Sequence, residues 1–348
     1  MAHESYMLRC LQLAQLAAGH TAPNPMVGAV LVHHDRIIGE GYHQEYGQAH
    51  AEVNCLNSVP ESDRHLIPES TIYVSLEPCA HYGKTPPCAD RIISEGIGRV
   101  VIGTRDPFGE VNGKGIEKLK NAGINVVTGV LEKECREMNK RFFTFHEQQR
   151  PYVILKWAQT ANGFISGKGE ERLLISNSLT QRLVHQWRGE EAVILVGTRT
   201  ALLDDPALTN RFGGPQPLRA VVDLDLKLPG SLKLLDSSQP TLIFNTQKEE
   251  KLGNLNFLKV SGKNDLVREI LKHLYTLKKA SLLVEGGAAL LGSFIQTGAW
   301  DEARVITNDS LVVEEGTMAP IITGAVRIPG PEGVGDRIEY FKNSQCYS

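Results

Sequence analysis

The chain has 348 residues, of which 41% are hydrophobic and 22% charged, and its formal net charge is −3. This composition is typical of a soluble globular protein, and the length suits two domains. The slightly acidic total disfavours a protein that binds DNA or RNA through a basic surface. No apolar run reaches the ~18 residues that a membrane span needs, and the amphipathic N-terminus does not resemble a signal peptide. We therefore expect a cytoplasmic protein that binds neither nucleic acid nor membranes.

The first part of the chain alternates between helix and strand patterns. Helices are predicted over 1–19, 50–56, 88–95, 115–121 and 132–145, and strands over 26–32, 36–42, 71–76, 99–104 and 125–128. This alternation indicates a layered α/β/α domain. A polar break at 148–151 follows, so we expect a first domain at 1–147 and a second at 148–348.

The second part alternates in the same way, which predicts another α/β domain. Strands are predicted near 153–155, 192–196, 220–222, 241–244, 282–284 and 304–306, and helices near 178–188, 265–276 and 288–296. The Pro- and Gly-rich stretch 328–335 is expected to be a loop.

His50, Cys79 and Cys88 have the chemistry of a catalytic zinc site. Three protein ligands leave a fourth position open, whereas structural zinc usually has four. Without a secretory signal, the two cysteines are expected to be metal thiolates rather than a disulfide. Glu52, two residues after His50, would carry protons beside a zinc-activated water. We therefore predict one zinc ion per chain.

This arrangement matches the zinc deaminase signature H-x-E followed by P-C-x-x-C, except that eight residues lie between Cys79 and Cys88. Both cysteines reach one metal if this long loop returns on itself. The competing interpretations are packing cysteines beside a surface histidine, or a structural zinc with His81 as its fourth ligand. A structural site does not need Glu52, which favours catalysis.

The segments 22–28, 50–53 and 78–88 resemble the bifunctional deaminase/reductase family of riboflavin biosynthesis (RibD). The resemblance implies a cytidine-deaminase-like first domain. Its substrate would be a phosphorylated pyrimidine, a diaminopyrimidinone carrying phosphoribosylamine, which loses its 2-amino group as ammonia. Asn24 matches a position that contacts the pyrimidine, although an ordinary turn asparagine is the alternative.

The segments 156–163 and 196–211 resemble the reductase domain of the same family, which is similar to dihydrofolate reductase and uses NADPH. The resemblance implies reduction of the ribosyl group to ribityl by hydride delivery to the sugar C1. The substrate positions that it assigns are Arg188, Leu208, Arg211 and Glu285. The cofactor positions that it assigns are Ala158, Leu174, Thr200, Asp204, Gly287, Ala288, Ala289, Leu290, Leu291, Gly292 and Ser293.

Physical chemistry supports some of these assignments. The two arginines suit a substrate phosphate, which a guanidinium binds through two parallel hydrogen bonds; ordinary salt bridges are the alternative. No G-x-G-x-x-G follows a predicted strand, but the strand, double glycine and helix of 282–289 would let a phosphate approach backbone amides. Asp204 and Glu285 could equally be a helix cap and a strand-end charge.

The chain departs from the reductase pattern at two positions. Leu174 stands where the family commonly has tryptophan, and Asn162 where it has aspartate. Loss of the aromatic ring would loosen packing against the cofactor, so an alternative is a deaminase with a weakened reductase domain. Less favoured are a nucleic-acid or nucleoside deaminase and a zinc-stabilised scaffold. The resemblance fades after about residue 309. A homo-oligomer is expected from the family resemblance only.

Overall fold

The computed structural model describes residues 2–82, 86–109, 111–169, 173–330 and 335–344. It divides into two compact units, Met1–Gln149 and Arg150–Ser348. This division lies close to the boundary expected after residue 147. Among the described helices, none is both long and apolar enough to cross a membrane.

In the described part of the first unit, five strands form one sheet in the order β2-β1-β3-β4-β5. The strands are β1 (Gly28–His33), β2 (Arg36–Tyr42), β3 (Thr71–Leu76), β4 (Arg99–Thr104) and β5 (Asn125–Thr128). The helices are α1 (Ala2–Gln15), α2 (Ala51–Asn57), α3 (Cys88–Ser94), α4 (Lys114–Asn121), α5 (Glu132–Met138) and α6 (Lys140–Gln148), with a 3-10 segment at Glu61–Glu69. β1 is antiparallel to β2 and β3, whereas β3, β4 and β5 are parallel.

Helices cover both faces of this sheet because its strand residues are apolar on both sides. α1 packs Cys10 against Tyr73 of β3 on one face. α2 and α3 pack Leu56 and Ile92 against the opposite face, where the next β3 residue, Val74, points. The predicted α/β/α layering is therefore confirmed.

The single helix predicted over 132–145 is wrong at Asn139. This residue leaves the helical conformation (φ −107°, ψ 24°) and separates α5 from α6. Its buried amide accepts a hydrogen bond from Met26 N (2.8 Å) and donates one to Met26 O (2.9 Å). A long-range contact thus overrides local helix propensity.

In the described part of the second unit, ten strands form one sheet in the order β11-β12-β10-β9-β8-β13-β6-β14-β17-β16. The strands of this unit are β6 (Tyr152–Thr160), β7 (Phe164–Gly167), β8 (Val193–Gly197), β9 (Leu218–Val222), β10 (Thr241–Asn245), β11 (Glu250–Leu252), β12 (Leu255–Lys259), β13 (Ser281–Val284), β14 (Glu302–Asn308), β15 (Gly316–Met318), β16 (Ala325–Ile328) and β17 (Arg337–Asn343). β7 and β15 lie outside the ten-stranded sheet and pair with each other in antiparallel orientation. The helices are α7 (Ser178–Glu190), α8 (Thr198–Asp204), α9 (Leu266–Thr276) and α10 (Ala288–Gln296). The sheet is parallel from β12 to β14 and antiparallel at its edges.

The predicted α/β class of the second half is also confirmed, but short and edge elements were missed. β17 pairs antiparallel with β14, and β16 pairs with β17. Their half-exposed, mixed residues give only a weak strand pattern. The expected loop 328–335 begins as β16 ends at Ile328, and its residues 331–334 lie outside the described part of the chain.

Close packing of α1 on β1 predicts that Gly28→Ala will destabilise the first unit. A Cβ at Gly28 would lie 1.9 Å from the Cys10 carbonyl oxygen, so the helix and strand must separate. Overpacking of this kind costs about 1–3 kcal/mol. Urea unfolding followed by circular dichroism tests this, with Gly98→Ala as control because nothing lies within 4 Å of its Cβ position. Equal midpoints for the two variants would contradict the prediction.

Candidate active sites

The three predicted zinc ligands converge beyond the carboxyl end of β3, the central strand of the first sheet. His50 immediately precedes α2, Cys79 follows the end of β3, and Cys88 is the first residue of α3. The His50 Nδ1 atom lies 3.6 Å from the Cys79 Sγ atom and 3.3 Å from the Cys88 Sγ atom. The structure therefore brings together residues that are 38 positions apart in sequence.

This donor set fits zinc. The three ligand atoms all lie within 4.8 Å of one another. Nitrogen and sulfur atoms about 2.1–2.3 Å from one tetrahedral zinc are themselves roughly 3.5–3.8 Å apart. Hydrogen bonds from Cys88 and His50 lower the pKa of Cys79 to about 4, which favours the thiolate that zinc requires. Residues 83–85, which belong to the sequence motif, lie outside the described residues.

Glu52 lies in the first turn of α2, and only 3% of its surface is exposed. Burial, reinforced by the negative charge of Cys79, raises the pKa of Glu52 to about 7. The carboxyl group therefore lies beside the ligand cluster, in an environment that permits both protonation states near neutral pH.

His43 is a residue of this site that the sequence reasoning missed. It is buried directly after β2, and its ring lies 5.5 Å from the ring of His50. Its Nδ1–H donates to Ala49 O (3.1 Å), so its Nε2 accepts from the Asn24 side-chain amide (3.3 Å). Asn24 is thereby held by a histidine whose ring contacts the ring of His50. A single histidine after a strand has no distinctive spacing, so the sequence carried no signal for it.

Glu77 is a second residue that was missed. Its buried carboxylate accepts four backbone N–H groups, from Asp106 (3.2 Å), Gly113 (3.0 Å), Gly115 (3.0 Å) and Ile116 (3.3 Å). These donors belong to the loop before α4 and to its first turn. Since Cys79 follows two residues later, this carboxylate fixes the segment that carries a predicted zinc ligand.

The second unit has a cavity of about 310 Å³ at the carboxyl ends of β6, β8 and β13. In open parallel sheets, ligands bind outside these strand ends. All four predicted substrate positions line the cavity: Arg188, Leu208, Arg211 and Glu285. So do seven predicted cofactor positions: Ala158, Leu174, Thr200, Asp204, Gly287, Ala288 and Leu291.

The other four predicted cofactor positions do not line this cavity. Leu290 is 7% exposed and belongs to the hydrophobic core, and the Ser293 hydroxyl donates to Ala289 O within α10. Gly292 lies beside them on the same helix. Their assignment to the cofactor stays a prediction that rests on the resemblance.

A buried ion-pair cluster forms one wall of the cavity. Arg188 donates through Nε and Nη2 to the two carboxylate oxygens of Glu285, both at 2.7 Å. Lys156 Nζ lies 3.6 Å from the same carboxylate. Burial alone would raise the pKa of Glu285, but the two cations lower it to about 2. The ionised Glu285 carboxylate therefore stabilises the folded unit fully above its ordinary pKa of 4.5. This stabilisation is lost as the pH falls toward 2, where the carboxylate becomes protonated.

Arg188 is therefore engaged with Glu285. Arg211 is exposed, and among the described residues only its backbone N–H is bonded, to His185 Nδ1 (3.2 Å). The preceding loop is strained, because Asp205 and Leu208 both have positive φ (37° and 51°). Such conformations persist where the surrounding structure imposes them, often at ligand sites.

The start of α10 fits a dinucleotide phosphate. Gly287 has φ 69°, and a Cβ at Gly286 would lie 2.9 Å from Thr200 Cγ2. Glycine at both positions leaves the backbone open at a helix N-terminus, where N–H groups bind anions. Leu174, which replaces the family's tryptophan, is 64% exposed at the cavity wall.

Family models match both units. Residues 1–104 match the cytidine and deoxycytidylate deaminase zinc-binding region, and residues 151–339 match the RibD C-terminal domain. The riboflavin biosynthesis protein RibD of Aquifex aeolicus is 41% identical over 89% of this chain and 88% of that protein. RibD of Escherichia coli is 33% identical over 98% of this chain and 95% of its own length.

Solved structures agree with these matches. The diaminohydroxyphosphoribosylaminopyrimidine deaminase/5-amino-6-(5-phosphoribosylamino)uracil reductase of Thermotoga maritima has a TM-score of 0.90 and 32% identity, over 98% of this chain and 99% of that chain. Acinetobacter baumannii RibD has a TM-score of 0.88 and 28% identity, over 98% of each chain.

The position of Glu77 predicts that Glu77→Gln will weaken zinc retention. The new amide N–H₂ would face backbone N–H donors, leaving them unsatisfied at a cost of about 1–3 kcal/mol. We expect faster zinc transfer to a chromogenic chelator and a lower deaminase kcat. Glu117→Gln, an exposed change on α4, is the matched control. Wild-type zinc release from the Glu77 variant would rule out the assigned role.

The ion-pair cluster predicts that Arg188→Ala will strongly destabilise the second unit. It leaves Glu285 buried with only Lys156 nearby, and breaking a buried pair typically costs about 3–5 kcal/mol. Exposed Arg211→Ala should change stability by less than about 0.5 kcal/mol. Urea unfolding followed by tryptophan fluorescence measures both, because all three tryptophans lie in this unit. Similar stabilities would show that the pair is not structural.

Proposed function

The chain belongs to the RibD family of riboflavin biosynthesis, and from this premise we propose how its residues divide two consecutive reactions. It is a bifunctional enzyme, a zinc-dependent deaminase and an NADPH-dependent reductase. The observation that carries the first assignment is the convergence of His50, Cys79 and Cys88 beside buried Glu52. We assign deamination to residues 1–147 and reduction to 148–348.

In the first reaction, His50, Cys79 and Cys88 would hold zinc, and the bound ion would supply a water molecule activated for attack at near-neutral pH. Glu52 takes a proton from the attacking water and returns it to the departing nitrogen, so that ammonia leaves. The Asn24 amide donates to His43, which leaves its carbonyl oxygen to accept a hydrogen bond from the pyrimidine. The substrate is a diaminopyrimidinone that carries a phosphoribosylamino group.

In the second reaction, the cavity of the second unit would hold NADPH, which would supply the hydride that reduces the ribosyl group to ribityl. Arg211 binds the substrate phosphate, because its exposed guanidinium lines the cavity. Arg188 acts by positioning Glu285, whose carboxylate accepts hydrogen bonds from the sugar. Leu208 lines the same pocket. The cofactor lies along Ala158, Leu174, Thr200, Asp204 and the 287–293 segment.

The substrate is therefore a phosphorylated small molecule rather than nucleic acid, which the net charge of −3 supports. We also propose a cytoplasmic location and a homo-oligomeric state, on the family resemblance alone. The second candidate function, a deaminase with a weakened reductase, is favoured by one observation: Leu174 offers no aromatic ring at the cavity wall.

We predict that Glu52→Gln retains zinc but releases no measurable ammonia, because the amide cannot accept the proton. Zinc content and ammonia are measured on the pure protein. The reductase, assayed with the deaminated pyrimidine and NADPH, is the internal control and should keep its wild-type kcat. Wild-type ammonia release would disprove the assigned mechanism.

Arg211→Ala should impair only the NADPH-dependent step. Loss of a charged hydrogen bond costs about 1.5–3 kcal/mol, roughly a 10- to 100-fold rise in KM. Ammonia release should not change. A wild-type KM would place the phosphate elsewhere.

Feeding the phosphoribosylamino-pyrimidinone to pure protein, with and without NADPH, distinguishes the two candidate functions. Mass spectrometry should show loss of ammonia alone without NADPH, and the ribityl product with it. Deamination without NADPH oxidation would support the weakened-reductase alternative.

A further inference from the structure

A second cluster of metal-binding side chains lies in the first unit, away from the catalytic site. One ligand atom each from His33, His34 and Glu69 lie within 4.8 Å of one another. Val32 pairs with Thr71 at the beginning of β3, whereas Cys79 follows the end of that strand. A six-residue strand spans about 20 Å, so the two clusters lie at opposite ends of β3.

The β1–β2 turn explains why two adjacent histidines meet. Neighbouring residues of a strand normally point to opposite faces. Here His34 and Asp35 both have positive φ (42° and 64°), as in the tight turns that connect hairpin strands. This brings the His33 and His34 rings to a centroid distance of 4.3 Å. Glu69 reaches them because it ends the 3-10 segment just before β3.

The donors of this cluster have no competing partners among the described residues. The Nδ1 atom of His33 is buried without a hydrogen-bond partner. Within the part of the chain that the structure describes, no hydrogen bond or ion pair engages the Glu69 carboxylate or the His34 ring nitrogens. The nearby acidic groups are already occupied: Asp35 accepts from Tyr6, and Asp63 pairs with Arg36 at 2.7 Å.

We propose that His33, His34 and Glu69 bind a second divalent transition-metal ion, with zinc as the physiological candidate. Two imidazoles and a carboxylate suit zinc, and water completes its coordination. The site is exposed and lacks thiolates, so it binds more weakly than the catalytic ligands. The ion ties the hairpin turn to the 3-10 segment, and it stabilises the folded unit in proportion to its occupancy.

Cobalt(II) titration of zinc-free protein separates the two sites. Cobalt at the catalytic site shows the near-ultraviolet thiolate charge-transfer band, and cobalt at the N,N,O site does not. We expect two equivalents in the wild type, only one of which contributes to that band. His34→Ala and Glu69→Gln should weaken the affinity for the second equivalent of cobalt about 10-fold or more. Exposed His65→Ala, on the same 3-10 segment, is the matched control.

Deaminase activity should be the same in all three variants, which keeps this test independent of the catalytic assignments. Saturation of the wild type at one equivalent would overturn the proposal. So would an unchanged second equivalent in both His34→Ala and Glu69→Gln, or its equal loss in His65→Ala.

Discussion

The carboxylate of Glu77 is buried at the end of β3 and accepts two backbone N–H groups on each oxygen. A buried carboxylate without such donors would cost several kcal/mol or become protonated. The loop before α4 must therefore keep its N–H groups on Glu77 whenever the unit is folded. Gly115 is part of this constraint, because a Cβ there would lie 1.9 Å from Pro78 O. The position of Cys79 follows from these contacts.

The second unit solves the same problem with opposite chemistry. Glu285 also directly follows a strand, β13, and is also buried, but Arg188 and Lys156 neutralise it. Backbone N–H groups hold Glu77 two residues before Cys79, a proposed zinc ligand. Cations hold Glu285 at the wall of the cavity that we propose binds the charged substrate. In both units, the strand end supplies a carboxylate whose desolvation is compensated locally, so that the adjoining pocket keeps a fixed shape.

Local patterns were sufficient to predict much of the fold. β2, β3 and α10 have the predicted bounds, because alternating or apolar residues and helix signals agree there with the tertiary structure. The convergence of His50, Cys79 and Cys88 was also predictable, since their residue types and spacing are rare. His43 and Glu77 were not, because they act through contacts with residues that are distant in sequence. Arg188 was predicted to bind phosphate, but its partner Glu285 lies 97 residues away, and sequence alone does not show that pairing.

Asn139 has a consequence beyond the division of α5 from α6. Its amide holds both backbone groups of Met26, two residues from Asn24. The geometry of the loop that carries Asn24, the proposed pyrimidine contact, is thus fixed by a helix junction more than 100 residues downstream. In a saturation mutagenesis screen for growth without added riboflavin, this position would rank with the active-site residues. Its intolerance would reflect a misplaced Asn24 rather than chemistry performed at Asn139 itself.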